Sequence, residues 1–191
     1  MKVAIGRRLI RFATAFLVIA CSSIVALGHC DTMDGPVVKA AERALRTKNV
    51  NYVLIWVHEK EEAEIRSAFT KVSKVRLMGR DARDLADRYF FETVVRLHRA
   101  GEGEPYTGLK PSGAEDMTLF VEIDRAIDQN SISTLKARFP ADDRSTIEER
   151  FLDVIERKKF AVNDVAAGRR FVESYVTFLH LVEKMAGHPE A

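Results

Sequence analysis

Two adjacent residues near the amino-terminal end of the chain, His29 and Cys30, have side chains that bind transition metals. If the mature chain begins at His29, its α-amine, with a pKa of ~8, is a further ligand near neutral pH. An amine, an imidazole, a backbone amide nitrogen and a thiolate within two residues favour a tetragonal copper or nickel site. Asp31, Met33 and Asp34 add oxygen and sulfur donors nearby. The pattern therefore predicts a metal site, and the alternative interpretation is a solvated tail with an isolated thiol.

The α-amine of His29 is free only if everything before it is removed. Residues 2–11 form a basic segment, residues 12–27 are mainly apolar, and small residues occupy the last and third-last positions before the proposed cleavage point. This order is typical of a secretory signal peptide and predicts cleavage between Gly28 and His29. The apolar run of 16 residues is shorter than the ~20 residues that a membrane-spanning helix requires.

We therefore expect an exported protein, periplasmic or extracellular, with a signal peptide in residues 1–28 and a single domain in residues 29–191. A second interpretation remains, because residues 18–21 resemble a lipobox. In that case the chain is cut before Cys21 and is attached to a membrane by a lipid on that residue. With Cys21 removed or lipidated, Cys30 is the remaining free thiol, and the exported domain has no internal disulfide.

The charge balance of the mature chain restricts its partners. The whole chain has 30 Lys and Arg against 28 Asp and Glu, but four of the basic residues and none of the acidic ones lie in residues 1–28. The remaining 26 basic and 28 acidic residues give a net charge of −2. A nearly neutral domain of mixed sign argues against nucleic acid as the main partner. A composition of 47% hydrophobic and 30% charged residues also excludes a disordered chain and a multi-span membrane protein.

The elements that must position these residues are predicted to be helices. After Gly35, apolar residues recur at spacings of three and four, with little alternation of period two. The apolar run in residues 52–57 also fits a strand, but the helix-forming residues after it favour a helix. The sequence therefore predicts an all-α fold, a helical bundle of five to seven helices. The predicted helices are Pro36 to about Arg46, residues 52–76, a helix capped by Asp81 that ends near Ala100, residues 114–129, Ser133–Phe139, Asp142–Phe160, and a helix capped by Asn163 or Asp164 that ends at Ala186.

The same periodicity predicts which side chains of the second and third helices face the core. They are Ile65, Phe69, Val72 and Val75, and then Leu85, Tyr89, Phe90, Val94 and Leu97. The glycine- and proline-containing segment at residues 101–113 is predicted not to be helical. It lacks the Gly-Lys-Ser/Thr sequence of a phosphate-binding loop, and we expect a packed loop with Tyr106 as its anchor.

The third helix has polar residues at helical spacing. Glu92 and Arg96 are four residues apart, a spacing at which opposite charges pair. We predict that Glu92 pairs with Arg96 or Arg99 inside the bundle, close to the start of the mature chain. There the pair could orient His29 as an outer partner of a metal ligand.

Two histidines on the third and last helices are further candidate ligands. His98 lies on an otherwise apolar face, and His180 lies seven residues after Glu173 and three before Glu183. A Glu together with His-x-x-Glu on the interior of a bundle can bind a metal ion. The alternative for each histidine is a hydrogen-bonded residue of the core or of an interface.

Residues 29–37 resemble the metal-binding hook of the nickel superoxide dismutases, whose pattern after leader removal is H-C-x-x-P-C-G-x-Y. His29, Cys30 and Gly35 occupy the positions of the His, the first Cys and the Gly, whereas Asp34 stands at the second Cys. The resemblance covers about fifteen residues. It implies a nickel ion bound at the amino terminus of a helical bundle, where superoxide is converted.

Nearly the whole mature chain is also similar to an uncharacterised family of exported bacterial helical proteins. The similarity lies in residues 29–41, 89–111 and 171–183. It implies no chemistry, but it suggests that these three segments act as a unit.

Two functional hypotheses follow from these observations. The first is an exported metal-binding protein with a copper or nickel cofactor and a superoxide-dismutase-like redox site that acts on superoxide or another small oxidant. The second is a non-enzymatic exported bundle that buffers metal ions or binds a protein partner. Both agree with a homo-oligomer, with no nucleic-acid partner, and with a membrane only if Cys21 is lipidated. The candidate metal ligands are His29, Cys30, Asp34, His98 and His180, and the candidate catalytic residues are Asp34, Glu92 and Arg96.

Overall fold

The computed structural model describes residues 29–113 and 118–187. The predicted signal peptide, the lipobox and the first residues of the predicted helix at 114–129 lie outside this part. The described residues form eight helices: α1 Pro36–Thr47, α2 Asn51–Leu54, α3 Glu62–Val75, α4 Arg80–Glu102, α5 Thr118–Gln129, α6 Ser133–Lys136, α7 Ala141–Arg157 and α8 Val165–Met185. Short 3-10 turns at His29–Asp31 and Glu59–Glu61 precede α1 and α3. The predicted all-α bundle is confirmed, with six long helices and two helices of four residues.

The limits of the first and last helices follow from local signals. Pro36 occupies the first position of α1, directly after Gly35, where its missing N–H removes no helical hydrogen bond. At the start of α8, the Asp164 side chain accepts a hydrogen bond of 2.9 Å from the Ala167 N–H. Asp164 is therefore the cap, one of the two residues predicted for that role.

The predicted helix over residues 52–76 is two helices, α2 and α3, because carbonyls between them have tertiary partners. The Trp56 carbonyl lies 2.9 Å from His98 Nδ1. Arg169 Nε donates a hydrogen bond of 2.9 Å to the Val57 carbonyl. These side chains satisfy the carbonyls that a continuous helix would pair within itself.

Helices α3 and α4 pack against each other as an antiparallel hairpin, joined by a short turn. Gly79 has a φ of 139° and is the residue that caps α4, so the prediction that Asp81 caps this helix is wrong. A β-branched or bulky residue at such a φ would be strained. Glycine thus sets the start of α4 through backbone freedom rather than through a side-chain cap.

The prediction of core-facing residues on this hairpin is right for one set and wrong for another. The buried ones are Ile65, Val72, Phe90, Val94 and Leu97, and Phe69 is partly buried. Val75, Leu85 and Tyr89 are instead 38%, 72% and 50% exposed. Val75 is the last residue of α3, and Leu85 and Tyr89 are next to the buried residues Ala86 and Phe90, so the covered face of α4 differs from the predicted one by one position.

The remaining helices close the bundle around the start of the described chain. Helix α8 packs along α7 and also contacts α2 and α5, while α1 packs on α4. Gly168 of α8 permits one close approach, because a Cβ there would lie 2.3 Å from Ile55 Cγ2. None of the helices in residues 29–113 and 118–187 is long and apolar enough to cross a membrane.

Candidate functional site

The segment that begins at His29 lies inside the bundle. His29, Cys30, Asp31 and Thr32 are all buried. Two backbone hydrogen bonds of 2.9 Å attach this segment to the loop after α4: the Lys110 N–H donates to the Asp31 carbonyl, and the Met33 N–H donates to the Lys110 carbonyl. The segment is therefore a packed part of the domain, and the interpretation as a solvated tail is wrong.

Tyr106 belongs to the same loop and packs, partly buried, against the core. Burial raises the pKa of its phenol. The predicted role of Tyr106 as the anchor of a packed loop is confirmed. The loop in turn holds the amino-terminal segment through Lys110.

Gly35 closes a turn around the carbonyl oxygen of His29. The Thr32 hydroxyl donates a hydrogen bond of 3.1 Å to that oxygen, and the Gly35 N–H donates to the Thr32 carbonyl over 3.0 Å. A Cβ at position 35 would lie only 2.2 Å from the His29 oxygen. The position therefore requires glycine, because the obstructing atom belongs to the backbone and cannot rotate away.

The imidazole of His29 is held by two residues of α5. Its Nε2 lies 3.0 Å from Asp124 Oδ2, and its ring stacks on Phe120 with 5.1 Å between centroids and an angle of 13°. A carboxylate accepts hydrogen bonds, so Nε2 carries the proton, and the lone pair of the neutral ring is on Nδ1. Nδ1 is buried and has no hydrogen-bond partner among the described residues.

Asp124 also connects α5 to α8. Its Oδ1 accepts a hydrogen bond of 2.9 Å from the Tyr175 hydroxyl. Burial, followed by the charge of Asp124, raises the pKa of Tyr175 well above its usual range. Tyr175 therefore remains a neutral donor, and one carboxylate orients a histidine and a tyrosine from different parts of the chain.

Cys30 follows His29 and is a buried free thiol. Burial raises the pKa of this thiol well above its usual range, and the negative charges of Glu102 and Asp31 raise it further. Arg99 opposes them. The thiol is protonated at neutral pH in this arrangement, so it is no reactive nucleophile.

Arg99 of α4 provides the buried positive charge beside the amino-terminal segment. It is 5% exposed and lies 3.5 Å from Asp31, 3.2 Å from Glu102 and 3.6 Å from Glu104. Burial nevertheless raises the pKa of Asp31, against the opposite effects of Arg99 and Lys110. Three acidic residues, Asp31, Glu102 and Glu104, thus surround the guanidinium of Arg99, and Lys110 is a second cation near Asp31.

Glu183 of α8 is a further acidic residue near His29. It is 7% exposed, and burial raises its pKa to about 7, against the opposing electrostatic effect of His29. Glu173 and His180, which share the predicted metal motif with Glu183, are exposed. The structure therefore brings Glu183 to the site and leaves the other two residues of the motif outside it.

The predicted ion pair of Glu92 with Arg96 or Arg99 is wrong. Glu92 pairs with Arg88, one turn earlier on α4, and Arg96 is exposed and pairs with Glu64 of α3. The face of α4 that contains Glu92 and Arg96 points toward solvent and α3. Helical spacing therefore identified residues of opposite charge, but on a face that does not point into the bundle. Such surface pairs contribute less than ~1 kcal/mol each to stability.

His98 is buried but has a structural environment. Its Nδ1 contacts the Trp56 carbonyl, its Nε2 lies 3.4 Å from Glu102, and its ring meets the Trp56 indole edge-on. This environment matches the alternative interpretation of His98, a hydrogen-bonded residue of the core.

Asp34 is exposed and lies with His29 and Asp124 on the wall of a cleft of about 340 Å³.

The structure therefore does not assemble the five predicted metal ligands into a single cluster. Within residues 29–113 and 118–187, no three side chains of His, Cys, Asp or Glu are grouped to hold a metal ion. It does bring together His29, Cys30, Asp124, Tyr175 and Glu183. Sequence reasoning missed Asp124 and Tyr175, since no spacing connects residues 95 and 146 positions away from the histidine.

Comparison with known proteins identifies the family but no characterised relative. No curated protein and no solved structure matches the chain. A family model described as a family of unknown function (DUF6448) matches residues 34–181. The matched range includes Asp124 and Tyr175, and it begins after His29 and Cys30. Because it covers most of the chain, the protein belongs to the DUF6448 family.

Proposed function

We propose that this protein is exported and binds a copper or nickel ion at its processed amino terminus. One observation carries the proposal: the His29 imidazole is fixed by Asp124 through Nε2, while its Nδ1 is buried and unpartnered among the described residues. A buried nitrogen lone pair without a donor is costly. Carboxylate contact with the other ring nitrogen is the usual way in which proteins orient a metal-binding histidine.

The second donor is the α-amine that cleavage before His29 releases. This amine and Nδ1 of the same residue can close a six-membered chelate ring on one metal ion. The backbone amide nitrogen and the thiolate of Cys30 can complete a tetragonal set. Since two of these four donors are main-chain atoms and the other two are the side chains of His29 and Cys30, the proposed site needs no cluster of three ligating side chains.

Electrostatics favours a cation at this position. Glu102, Asp31 and Asp124 all raise the pKa of the Cys30 thiol, and Glu183 lies close to His29. A bound divalent ion offsets this negative charge and makes the thiolate the stable form. Binding must release the thiol proton, so the affinity decreases as the pH falls.

A redox role is a further step of the proposal. Copper or nickel with thiolate and nitrogen donors supplies one-electron chemistry, which suits superoxide or a related small oxidant. The cleft beside His29 gives a small molecule access, and Asp34 on its wall is the candidate proton donor. Metal buffering without turnover is the alternative, and the activity measurement below separates the two.

The experiment uses protein purified from the compartment to which the cell delivers it. Intact mass defines the first residue, and calorimetric titration with Cu²⁺, Ni²⁺, Mg²⁺ and Ca²⁺ measures affinity. We expect a chain that begins at His29 and binds Cu²⁺ or Ni²⁺ far more tightly than Mg²⁺. Cys30→Ser removes the thiolate-to-metal absorption band, and one Ala inserted before His29 lowers the affinity about tenfold or more, because it converts the amine into an amide.

The control is His180→Ala, which removes an exposed histidine from α8 and leaves binding unchanged. A lipid-modified chain that begins at Cys21 contradicts the proposed amine ligand. Equal copper and nickel affinities in the parent and the extended chain contradict the metal site itself. With a metal bound, superoxide turnover that Asp34→Ala lowers supports the redox role, and the absence of turnover leaves metal buffering.

A further inference from the structure

We infer that the tip of the α3–α4 hairpin, residues 75–85, is a docking surface for a membrane rich in anionic lipid. This inference is independent of the metal site. Four large apolar side chains are exposed within this short segment: Leu77 by 84%, Met78 by 78%, Leu85 by 72% and Val75 by 38%. Single exposed apolar residues are common, but a local concentration at one convex end of a domain points to an interaction.

The turn holds these side chains outward in a defined conformation. The Leu77 N–H donates to the Lys74 carbonyl over 3.2 Å, and the Met78 N–H donates to the Val75 carbonyl over 3.0 Å. The side chain of Arg76, the residue between Val75 and Leu77, folds back on the protein, where it pairs with Asp87. The backbone is thus fixed on both sides of Leu77, and the two most exposed apolar side chains have no route into the core.

The charges around the tip are mainly positive. Exposed basic residues flank the apolar ones, and they form no ion pair among the described residues: Lys71, Lys74, Arg80 and Arg83. Two exposed acidic residues, Asp81 and Asp84, oppose these four. The domain as a whole is slightly acidic, so this end is positive against the general charge. Basic residues that surround exposed apolar side chains match the headgroup region of an anionic bilayer.

A lipid surface explains the shape of the tip better than a second copy of the chain. A stable protein interface buries about 800 Å² on each partner, which a convex turn with four apolar side chains does not offer to a rigid surface. A bilayer needs only that side chains enter ~5–10 Å below the headgroups, while cations remain among the phosphates. Such attachment is peripheral and reversible, and it places no helix across the membrane.

The test is co-sedimentation with vesicles, using full-length protein that carries Cys21→Ser so that no lipid anchor forms in any processed form. The vesicles contain either phosphatidylcholine alone or equal parts of phosphatidylcholine and phosphatidylglycerol. We expect binding to the anionic vesicles that weakens as NaCl is raised, because exposed charges are screened. Leu77→Ser with Met78→Ser lowers the partition coefficient about tenfold or more. Lys74→Gln with Arg80→Gln lowers it and reduces its dependence on salt.

Leu152→Ser is the matched control, since Leu152 is 58% exposed on α7, away from the tip, and we expect it to bind like the parent. All these positions are exposed, so the variants retain the fold, which circular dichroism checks. The inference is overturned if the parent does not bind anionic vesicles, or if the Leu77 and Met78 variant binds as well as the parent. It is also overturned if those changes dissociate a dimer in sedimentation velocity without any effect on vesicles, because the tip is then a contact between copies.

Discussion

Replacement of Asp124 by Ala tests whether the amino-terminal segment is held as described. Asp124 accepts one hydrogen bond from His29 and one from the Tyr175 hydroxyl. Both donors are almost completely buried, at 5% and 4% exposure. In Asp124→Ala neither donor has a replacement side chain at the same position.

The expected loss of stability follows from these two donors. A buried donor that loses its partner costs about 1–3 kcal/mol, so two of them cost about 2–6 kcal/mol. In a domain of this size a loss of 1 kcal/mol lowers Tm by about 2–4 °C. Asp124→Ala should therefore lower Tm by about 10 °C. Asp124→Asn should lose less, because the amide oxygen still accepts one of the two hydrogen bonds.

The assay is urea unfolding followed by circular dichroism, with Asp128→Ala as control. Asp128 lies one turn further along α5, on the wall of the same cleft, and is exposed. We expect this control to change the free energy of unfolding by less than ~0.5 kcal/mol. If Asp124→Ala and Asp128→Ala are equally stable, the His29–Asp124–Tyr175 arrangement does not hold the segment, and the reasoning is refuted.

Two more predictions concern the same region. Gly35→Ala should destabilise the protein and abolish copper and nickel binding, because its Cβ would lie 2.2 Å from the His29 carbonyl; metal titration and thermal unfolding that match the parent would contradict this. Glu183→Gln should stabilise the metal-free protein at pH 8 but have little effect at pH 4. The pKa of Glu183 is about 7 in the folded protein against 4.5 ordinarily, so the native state keeps a proton that the unfolded state releases. The contribution of Glu183 to the free energy of unfolding is highest below pH ~4.5 and decreases until the pH passes ~7, with a slope of at most ~1.4 kcal/mol per pH unit. Urea unfolding from pH 4 to 8 measures it, and identical profiles in parent and variant would refute the assignment.

The sequence was informative wherever a local signal determines a local structure. Pro36 marks the start of α1, and Asp164 caps α8. Apolar spacing identified the long helices, because each one buries a continuous stripe. The break between α2 and α3 escaped this reasoning, since it depends on His98 and Arg169, side chains from distant helices.

The periodicity of α4 predicted the helix correctly but assigned some of its core-facing residues wrongly. Leu85 and Tyr89 share a face with apolar spacing, but the face of α4 that other helices cover is the one with their neighbours Ala86 and Phe90. An apolar stripe on a helix predicts burial only where another helix packs on it. Two of the residues that deviate from the predicted core, Val75 and Leu85, belong to the proposed membrane-docking tip, whereas Tyr89 lies outside it.

The candidate site was predicted in part. His29, Cys30 and Gly35 were found from residue types and spacing, because they lie within seven positions of each other. Asp124 comes from another helix, and its distance from His29 along the chain carries no information about contact. Arg99 appeared only as a partner of Glu92, whereas its position next to Asp31 depends on the loop through Lys110.

The burial of the amino-terminal segment is informative in energetic terms. A segment before the first helix could remain in solvent at no cost, yet this one buries a histidine, a thiol and Asp31 together. Burial raises the pKa of both Cys30 and Asp31 despite Arg99, so burial disfavours the charged form of each group. A positive ion next to Cys30 would reverse that preference and provide a partner for the Nδ1 of His29. Under the proposed function, a bound cation therefore stabilises this arrangement, as expected for a site whose metal binding is coupled to folding.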